Sequence, residues 1–345
     1  DFKRGERMNR THRTGRCAAL LLGFFAAAVI TAVPARAAAE PVHELVPVGQ
    51  PIGVKLFSDG VLVIGLSDSE SAAKQCGLKE GDIITALDGK SLDTIEQLQA
   101  CLNANGASET ELTVKRGSLE ALPQQDASGA YRLGAWVRDS MAGIGTMTFY
   151  DPKSGVFGAL GHGVTDVDTG RLLPLDRGSI MDASVKAVKK GERAAPGELK
   201  GDFDLTRDCG TLYANTESGI FGTLAPQDAE KRSGKAYPIA KRDEVKTGPA
   251  TILATVNGNE TREYAIEIEK VYAASGTSRN MLLRVTDEAL LAQTGGVVQG
   301  MSGSVIVQND RIVGAVTHVL LDDPSRGYGI FIGNMLDAAG LSYEA

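Results

Sequence analysis

Two glycine-flanked residues, far apart in the chain, have the types that acyl-transfer chemistry requires. Ser302 lies in Gly300-Met-Ser-Gly-Ser304, where a tight turn would expose its hydroxyl and point backbone N–H groups outward. His162 lies between two glycines and can act as the base that such a serine needs. The pattern predicts that Ser302 attacks a carbonyl carbon while the N–H groups of Gly300 and Ser302 hold the oxyanion.

Few residues in the sequence can serve as the base or as the nucleophile. Of the four histidines, His12 precedes an apolar segment and His43 lies in a predicted linker, which leaves His162 and His318. His318 follows a predicted core strand, so we interpret it as structural or pocket-lining. Ser304 begins the next predicted strand, where it would support the turn, so Ser302 is the preferred nucleophile.

The carboxylate that would orient the base is not fixed by the residues alone. The candidates are Asp166, Asp168, Asp204, Asp208 and Asp287. Asp166 and Asp168 follow His162 so closely that we expect them to shape its loop. Asp287 directly follows a predicted strand, whose backbone could present it.

Short strands and glycine turns fill the region that carries these residues, from 130 to 345. Examples are Met281–Val285 and Ile312–Val316, with turns such as Asn257-Gly-Asn259 between strands. Frequent turn signals between short apolar runs predict an all-β barrel or sandwich. A polar stretch at 119–129 reads as the linker before this domain.

A smaller module precedes that linker, at 53–118. The run Gly77-Leu-Lys-Glu-Gly-Asp-Ile-Ile84, followed by the Asp88-Gly turn, resembles a bacterial PDZ domain. Such α+β domains bind a peptide end between a strand and a helix. The resemblance implies a carboxylate-holding loop at Ile52-Gly53-Val54 and a groove helix at 93–102. The alternative is that the module is only a spacer.

The N-terminal region predicts export. Cys17–Val33 is an uncharged apolar run with Arg13 and Arg16 before it, so residues 1–39 read as a signal peptide or membrane anchor, followed by a linker at 40–52. The net charge of −7 argues against nucleic-acid binding. We expect no metal or cofactor, because the cysteines lack ligand spacing. Cys76 and Cys101 are either a disulfide or small buried hydrophobes.

A wider resemblance joins these parts. The stretches Ala159-Leu-Gly-His-Gly-Val-Thr165 and Thr286–Ser304, with Gly314-Ala-Val-Thr-His-Val319, resemble the PDZ-containing signalling peptidases of the stage IV sporulation protein B family. The resemblance implies a mainly β chain with a chymotrypsin-like β-barrel peptidase domain at 130–345. It also implies a triad of His162, Asp287 and Ser302. Asp287 lies only 15 residues before Ser302 (302 − 287), whereas chymotrypsin-like chains usually place it nearer the histidine.

The same resemblance implies a role. Such proteins cross the forespore membrane into the intermembrane space, cleave themselves, and cut a membrane-bound regulator of an intramembrane metalloprotease. This triggers processing of the pro-sigma-K factor. For this chain we expect self-cleavage within Ala37–Gln50, and peptide termini as partners of the PDZ domain. The alternatives are a non-catalytic extracytoplasmic PDZ binding protein and a general envelope quality-control protease.

Overall fold

The computed structural model describes residues 41–232, 234–272 and 278–344. The predicted signal or anchor segment lies outside these ranges. Within them, no helix combines the length and the apolar character needed to cross a membrane. Cys76, Cys101 and Cys209 carry free thiols.

The chain is mainly β. Its strands are β1 (Glu44–Leu66), β2 (Ile83–Leu87), β3 (Lys90–Ser91), β4 (Thr110–Val114), β5 (Gly117–Ala121), β6 (Gln124–Gln125), β7 (Tyr131–Arg132), β8 (Ala135–Tyr150), β9 (Val156–Ala159), β10 (Arg177–Lys189), β11 (Glu198–Thr216), β12 (Gly219–Leu224), β13 (Tyr237–Pro238), β14 (Gly248–Thr255), β15 (Thr261–Val271), β16 (Met281–Val285), β17 (Val305–Gln308), β18 (Arg311–Leu320) and β19 (Asp323–Phe331). Its helices are α1 (Ala72–Gln75), α2 (Ile95–Asn105), α3 (Pro226–Lys231), α4 (Glu288–Thr294) and α5 (Ile332–Ala339), with a 3-10 turn at Arg242–Glu244.

The first barrel is a closed ring of antiparallel strands. Neighbours pair in the order β1, β8, β9, β12, β11, β10, and β10 returns to β1 through pairs such as Val54 with Ile180. Inward residues including Ile52, Phe157 and Ile180 have no exposed surface. Burial of such side chains stabilises the barrel by about 25 cal/mol for each Å² of apolar surface removed from water.

A second closed barrel follows in the sequence. Its strands pair in the order β14, β15, β16, β19, β18, β17, and β17 closes back onto β14. Ile252, Ile268, Leu283 and Phe331 are among the buried residues at its centre. The two barrels confirm the predicted mainly β peptidase body.

The PDZ domain is inserted into the first barrel. Strands β1 and β8 are long and pair from Val46–Tyr150 at one end to Leu66–Ala135 at the other, with bulges between. The inner halves of this ribbon belong to the barrel, and the outer halves join β2, β4 and β5 in the PDZ sheet. The inserted domain has its own core, which includes Leu87, Leu98 and Leu112.

The insertion changes the predicted boundaries. The predicted linker at 40–52 is mostly strand β1, so the peptidase body begins at Glu44 rather than at residue 130. Pro47 and Gly49 give this segment the composition of a linker, but a bulge between Pro47 and Gln50 accommodates them within the strand. The predicted groove helix at 93–102 is α2, capped by the Thr94 side chain.

Candidate active site

His162 and Ser302 come together in a cleft of about 590 Å³ that residues of both barrels line. His162 follows β9 of the first barrel, and Ser302 precedes β17 of the second barrel. The structure therefore brings the predicted base and nucleophile into one site. His318, at the end of β18, lines the same cleft.

The turn that presents His162 has an unusual backbone. Leu160 (φ 70°) and Gly161 (φ 68°) both adopt the left-handed conformation, which bends the chain sharply out of β9. A non-glycine residue rarely takes this conformation, and such strain concentrates at functional sites. A Cβ added at Gly161 would lie 3.0 Å from Thr317 Cγ2, so the turn packs directly on β18 of the second barrel.

The neighbours of His162 favour its neutral form. Nδ1 lies 2.8 Å from the Gly163 carbonyl oxygen, which can only accept, so Nδ1 carries the proton. Burial lowers the pKa of His162, and the Gly163 hydrogen bond offsets only part of this effect. Nε2 is consequently free of a proton and can act as a base.

Asp166 and Asp168 shape the loop that follows His162, as predicted. The buried Asp166 carboxylate accepts the Thr169 N–H at 2.9 Å and the Asp168 N–H at 3.1 Å. Arg138 of β8 forms an ion pair with Asp166 and another, at 3.0 Å, with Asp168. Burial alone would raise the pKa of Asp166, but the hydrogen bonds from Thr169 and the charge of Arg138 lower it overall.

The Ser302 turn is fixed to the first barrel by Thr146 of β8. The Thr146 N–H donates to the Ser302 carbonyl at 3.0 Å, and its hydroxyl donates to the Gly300 carbonyl at 2.8 Å. Gly303 (φ 99°) approaches this strand so closely that an added Cβ would lie 2.0 Å from the Thr146 oxygen. The Ser302 hydroxyl donates to the Thr317 carbonyl at 2.8 Å.

The N–H groups of the turn divide into two sets. Those of Met301, Gly303 and Ser304 donate to backbone carbonyls. Those of Gly300 and Ser302 have no acceptor within the part of the chain that the structure describes. Two N–H groups without an acceptor, one on the serine itself and one two residues before it, are the donors that an oxyanion hole requires. Ser304, in contrast, is fully buried.

Asp287 lies in a different environment from the other two predicted triad residues. It is the N-cap of α4, where one carboxylate oxygen accepts the Leu290 N–H at 2.9 Å and the other the Ala265 N–H at 3.5 Å. Asp287 is not among the cleft residues, and no hydrogen bond joins it to His162 in the described ranges. The prediction that Asp287 orients His162 stays a prediction.

His318 is the titratable neighbour of the base. The ring centroids of His162 and His318 lie 5.0 Å apart, with the planes tilted by 37°. His318 Nδ1 is buried and has no hydrogen-bond partner among the described residues. Burial, together with the nearby His162 and Arg279, lowers the pKa of His318 to about 4, so its ring is neutral near pH 7. The sequence interpretation of a pocket-lining residue is consistent with this position.

The prediction that Ile52-Gly53-Val54 forms the carboxylate-holding loop of the PDZ domain is wrong. Ile52, Gly53 and Val54 lie in the middle of β1, paired with β8 on one side and β10 on the other. Their backbone groups are used within the barrel, so they cannot bind a peptide carboxylate. The strand that borders α2 is instead the start of β8, which follows this helix in the sequence.

The PDZ groove lies between α2 and the start of β8. Its volume is about 420 Å³, and Leu98 of α2 and Val137 of β8 face each other across it. Before β8, the carbonyls of Leu133 and Gly134 accept hydrogen bonds, but their N–H groups have no acceptor among the described residues. The sequence signal that was missed is Gly134, which lies between Leu133 and Ala135 just before the strand that borders α2. This glycine has a φ of 74°.

Comparison with known proteins agrees with this geometry. The structure is that of a two-barrel serine peptidase with an inserted PDZ domain. The sequence profile of the SpoIVB peptidase S55 family matches residues 129–336, and a PDZ domain profile matches residues 63–116. The chain therefore belongs to the SpoIVB peptidase S55 family, and it is a serine peptidase. No curated protein is similar to this chain at a significant level.

Several solved structures are similar to parts of the chain. The Rv3671c protease of M. tuberculosis, in its active form, is 14% identical over 59% of this chain and 77% of its own, with a TM-score of 0.33. Its inactive form is 13% identical over 57% and 83%, with a TM-score of 0.34. The PDZ domain of the SdrC-like protein Lmo2051 from Listeria monocytogenes is 20% identical over 23% and 87%, with a TM-score of 0.21.

Proposed function

We propose that this chain is a sporulation signalling endopeptidase that cleaves itself and then a membrane-bound regulator of an intramembrane metalloprotease. That second cleavage would trigger processing of the pro-sigma-K factor. The observation that carries the catalytic part is the meeting of His162 and Ser302 in one cleft, beside the unsatisfied N–H groups of Gly300 and Ser302. Membership of the SpoIVB family supports the sporulation role.

The proposed reaction is acyl transfer. The Ser302 hydroxyl leaves the Thr317 carbonyl and turns to His162 Nε2, which takes its proton as Oγ attacks the scissile carbonyl carbon. The N–H groups of Gly300 and Ser302 hold the oxyanion. His162 then protonates the leaving amine, and water hydrolyses the acyl-enzyme. Asp287 is the orienting carboxylate that the family resemblance implies.

The start of β1 supports self-cleavage ahead of this strand. Leu45 and Val46 are buried in the body of the protein, so cleavage after Glu44 would require β1 to leave the barrel. We therefore place self-cleavage in the N-terminal part of the predicted stretch at 37–50. The apolar run Cys17–Val33 supports export, with the peptidase body outside the membrane.

The PDZ groove supports a regulatory partner. At Ala135–Val137, strand β8 pairs with β1 on one edge, and no other described strand pairs with its second edge, which faces α2. A peptide could add to this edge by β-augmentation, with its carboxylate at the Leu133 and Gly134 N–H groups. The ligand would be a terminus of a partner or of the chain itself.

The test is a time course of the full chain beside the Ser302→Ala variant, followed by N-terminal sequencing. The proposal predicts that wild type trims itself ahead of β1 and that the alanine variant stays whole. If both forms stay whole, the chain does not cleave itself under these conditions, which contradicts the proposal. If both are trimmed alike, Ser302 is not the residue responsible. Expression of the gene outside sporulation would favour the quality-control alternative over the signalling role.

A further inference from the structure

The active-site cleft has a distinct chemical character. Most of its lining is aliphatic, from Val54 and Leu56 on the first barrel to Val297 and Val298 on the second. Among the residues that the structure describes, no lysine or arginine contributes to the lining, and Glu217 is the only carboxylate in it. Besides the two histidines, Glu217 is therefore the one ionisable side chain of this described lining that a bound substrate would meet.

The backbone of Glu217 is held in a fixed position relative to the loop of the base. It lies at the tip of the hairpin between β11 and β12, closed by the Thr216–Gly219 pair. Asn215 joins this hairpin to the His162 loop, because its side chain accepts the Val164 N–H at 2.8 Å and donates to the Val164 carbonyl at 2.9 Å. The Thr216 oxygen would lie 2.5 Å from a Cβ added at Gly163, so the two loops are in direct contact.

The carboxylate of Glu217 is available to a ligand. Its side chain is exposed, and it makes no hydrogen bond or ion pair within the described ranges. The rim of the cleft is apolar, with Val167 79% exposed and Leu321 57% exposed. The aliphatic stem of a lysine or arginine can pack on this apolar rim while its charged head reaches the Glu217 carboxylate.

We propose that Glu217 determines specificity, by selecting a substrate segment in which a lysine or arginine lies close to apolar residues around the scissile bond. The inference rests on the proposed peptidase function and specifies its substrate class. An ion pair between a substrate cation and an exposed carboxylate should raise kcat/KM by about two- to fivefold. The chain itself carries such a segment, since Arg36 is followed by three alanines.

The test compares matched peptides that differ only by lysine, glutamine or glutamate at one position, scanned across the apolar segment. For wild type we expect one position where lysine raises kcat/KM about two- to fivefold, with a preference that weakens as salt is added. Glu217→Gln should remove this preference, so that lysine and glutamine peptides have equal kcat/KM. Glu217→Lys should reverse it in favour of glutamate. Glu263→Gln, an exposed carboxylate outside the cleft, is the matched control.

Two outcomes would overturn the inference. In one, Glu217→Gln lowers kcat equally for all peptides and shifts the pH profile, which means that the carboxylate assists His162 instead. In the other, wild type shows no preference for lysine at any position. Failure of the proposed function looks different, because wild type would then cleave no peptide and would not react with a fluorophosphonate.

Discussion

Asp287 contributes to stability as a helix cap, whatever else it does. Asp287→Ala removes the oxygen that accepts the Leu290 N–H, and we expect it to lower the free energy of unfolding by about 1 kcal/mol. Asp287→Ser keeps an oxygen at the N-cap and should recover most of this loss. Chemical denaturation of the three proteins measures both effects, and an alanine variant as stable as wild type would contradict the capping role.

The Asp287→Ser variant also tests the predicted orienting role of this residue. Because a serine hydroxyl would cap the helix but carry no charge, the activity of this variant separates the two contributions. If the folded variant is inactive, the carboxylate orients His162, as the family resemblance implies. If it retains activity, the Gly163 carbonyl is sufficient to hold the Nδ1–H form of His162.

The pH dependence of catalysis follows from the burial of His162. Burial disfavours the imidazolium and lowers the pKa of His162 from 6.5, so the base stays neutral as the pH falls past that value. We expect the acid limb of kcat/KM to lie below pH 6.5. Titration of the His162 ring by NMR in the Ser302→Ala variant shows whether this residue causes the loss of activity at low pH. A midpoint at or above 6.5 would contradict the lowered pKa of His162.

At the scale of elements, β8 positions the nucleophile turn. Thr146→Val removes the hydroxyl that donates to the Gly300 carbonyl in a buried site, and we expect a loss of about 1–2 kcal/mol in stability together with lower kcat. Thr148→Val is the matched control, because the Thr148 hydroxyl is buried without a partner among the described residues. Equal effects of the two substitutions on kcat would show that the Thr146 bond does not position the turn.

Arg138, also on β8, anchors the loop of the base. Arg138→Gln leaves the fully buried Asp166 carboxylate without its cation, which we expect to cost on the order of 3 kcal/mol. Arg177→Gln breaks an exposed ion pair and should cost less than about 1 kcal/mol. Denaturation of both variants measures the difference, and a near-zero effect of Arg138→Gln would contradict the anchoring role.

The ion pair between Asp166 and Arg138 also makes the stability of the protein depend on pH. The folded pKa of Asp166 is lowered, so its contribution to stability is present above 3.8 and is lost as the pH falls through the folded pKa. Without Arg138, the pKa of Asp166 should rise, so acid unfolding should begin at a higher pH. Acid titration followed by circular dichroism, with Arg177→Gln as the control, checks this expectation.

At the scale of the whole molecule, the insertion of the PDZ domain decides which fragments can fold. A fragment of residues 130–345 lacks β1 and leaves β8 and β10 of the first barrel without a shared neighbour. We expect the first barrel of this fragment to be unfolded, whereas the second barrel keeps all of its strands. Replacement of residues 58–139 by Asn-Gly joins the Phe57–Ser140 pair through a tight turn and should preserve both barrels. Circular dichroism and proton NMR distinguish the two, and a folded first barrel in the 130–345 fragment would contradict the topology.

Strand β8 belongs to both binding regions of the molecule. Its residues 135–137 border the PDZ groove, and Met141–Ile144 line the active-site cleft. Arg138, which holds the His162 loop, lies between these two segments of the strand. A ligand in the groove therefore contacts the same strand that shapes the cleft.

The sequence predicted the local chemistry better than the topology. Glycines around His162 and Ser302 mark turns whose φ values only glycine adopts easily, so the pair could be recognised. Strand β1, which runs through both domains, could not be recognised, because Pro47, Gly49 and Pro51 are residues typical of a linker. The environment of Asp287 depends on α4 and on Ala265 of β15, contacts that no spacing in the sequence reveals.

The most direct test of the central claim is reaction of the full chain with a fluorophosphonate, followed by mass spectrometry of the peptides. The account predicts a single adduct on Ser302 in wild type, and almost none in His162→Ala, because that variant lacks the base. An adduct on another serine, or equal labelling of Ser302 without His162, would contradict the assignment of this cleft as the active site.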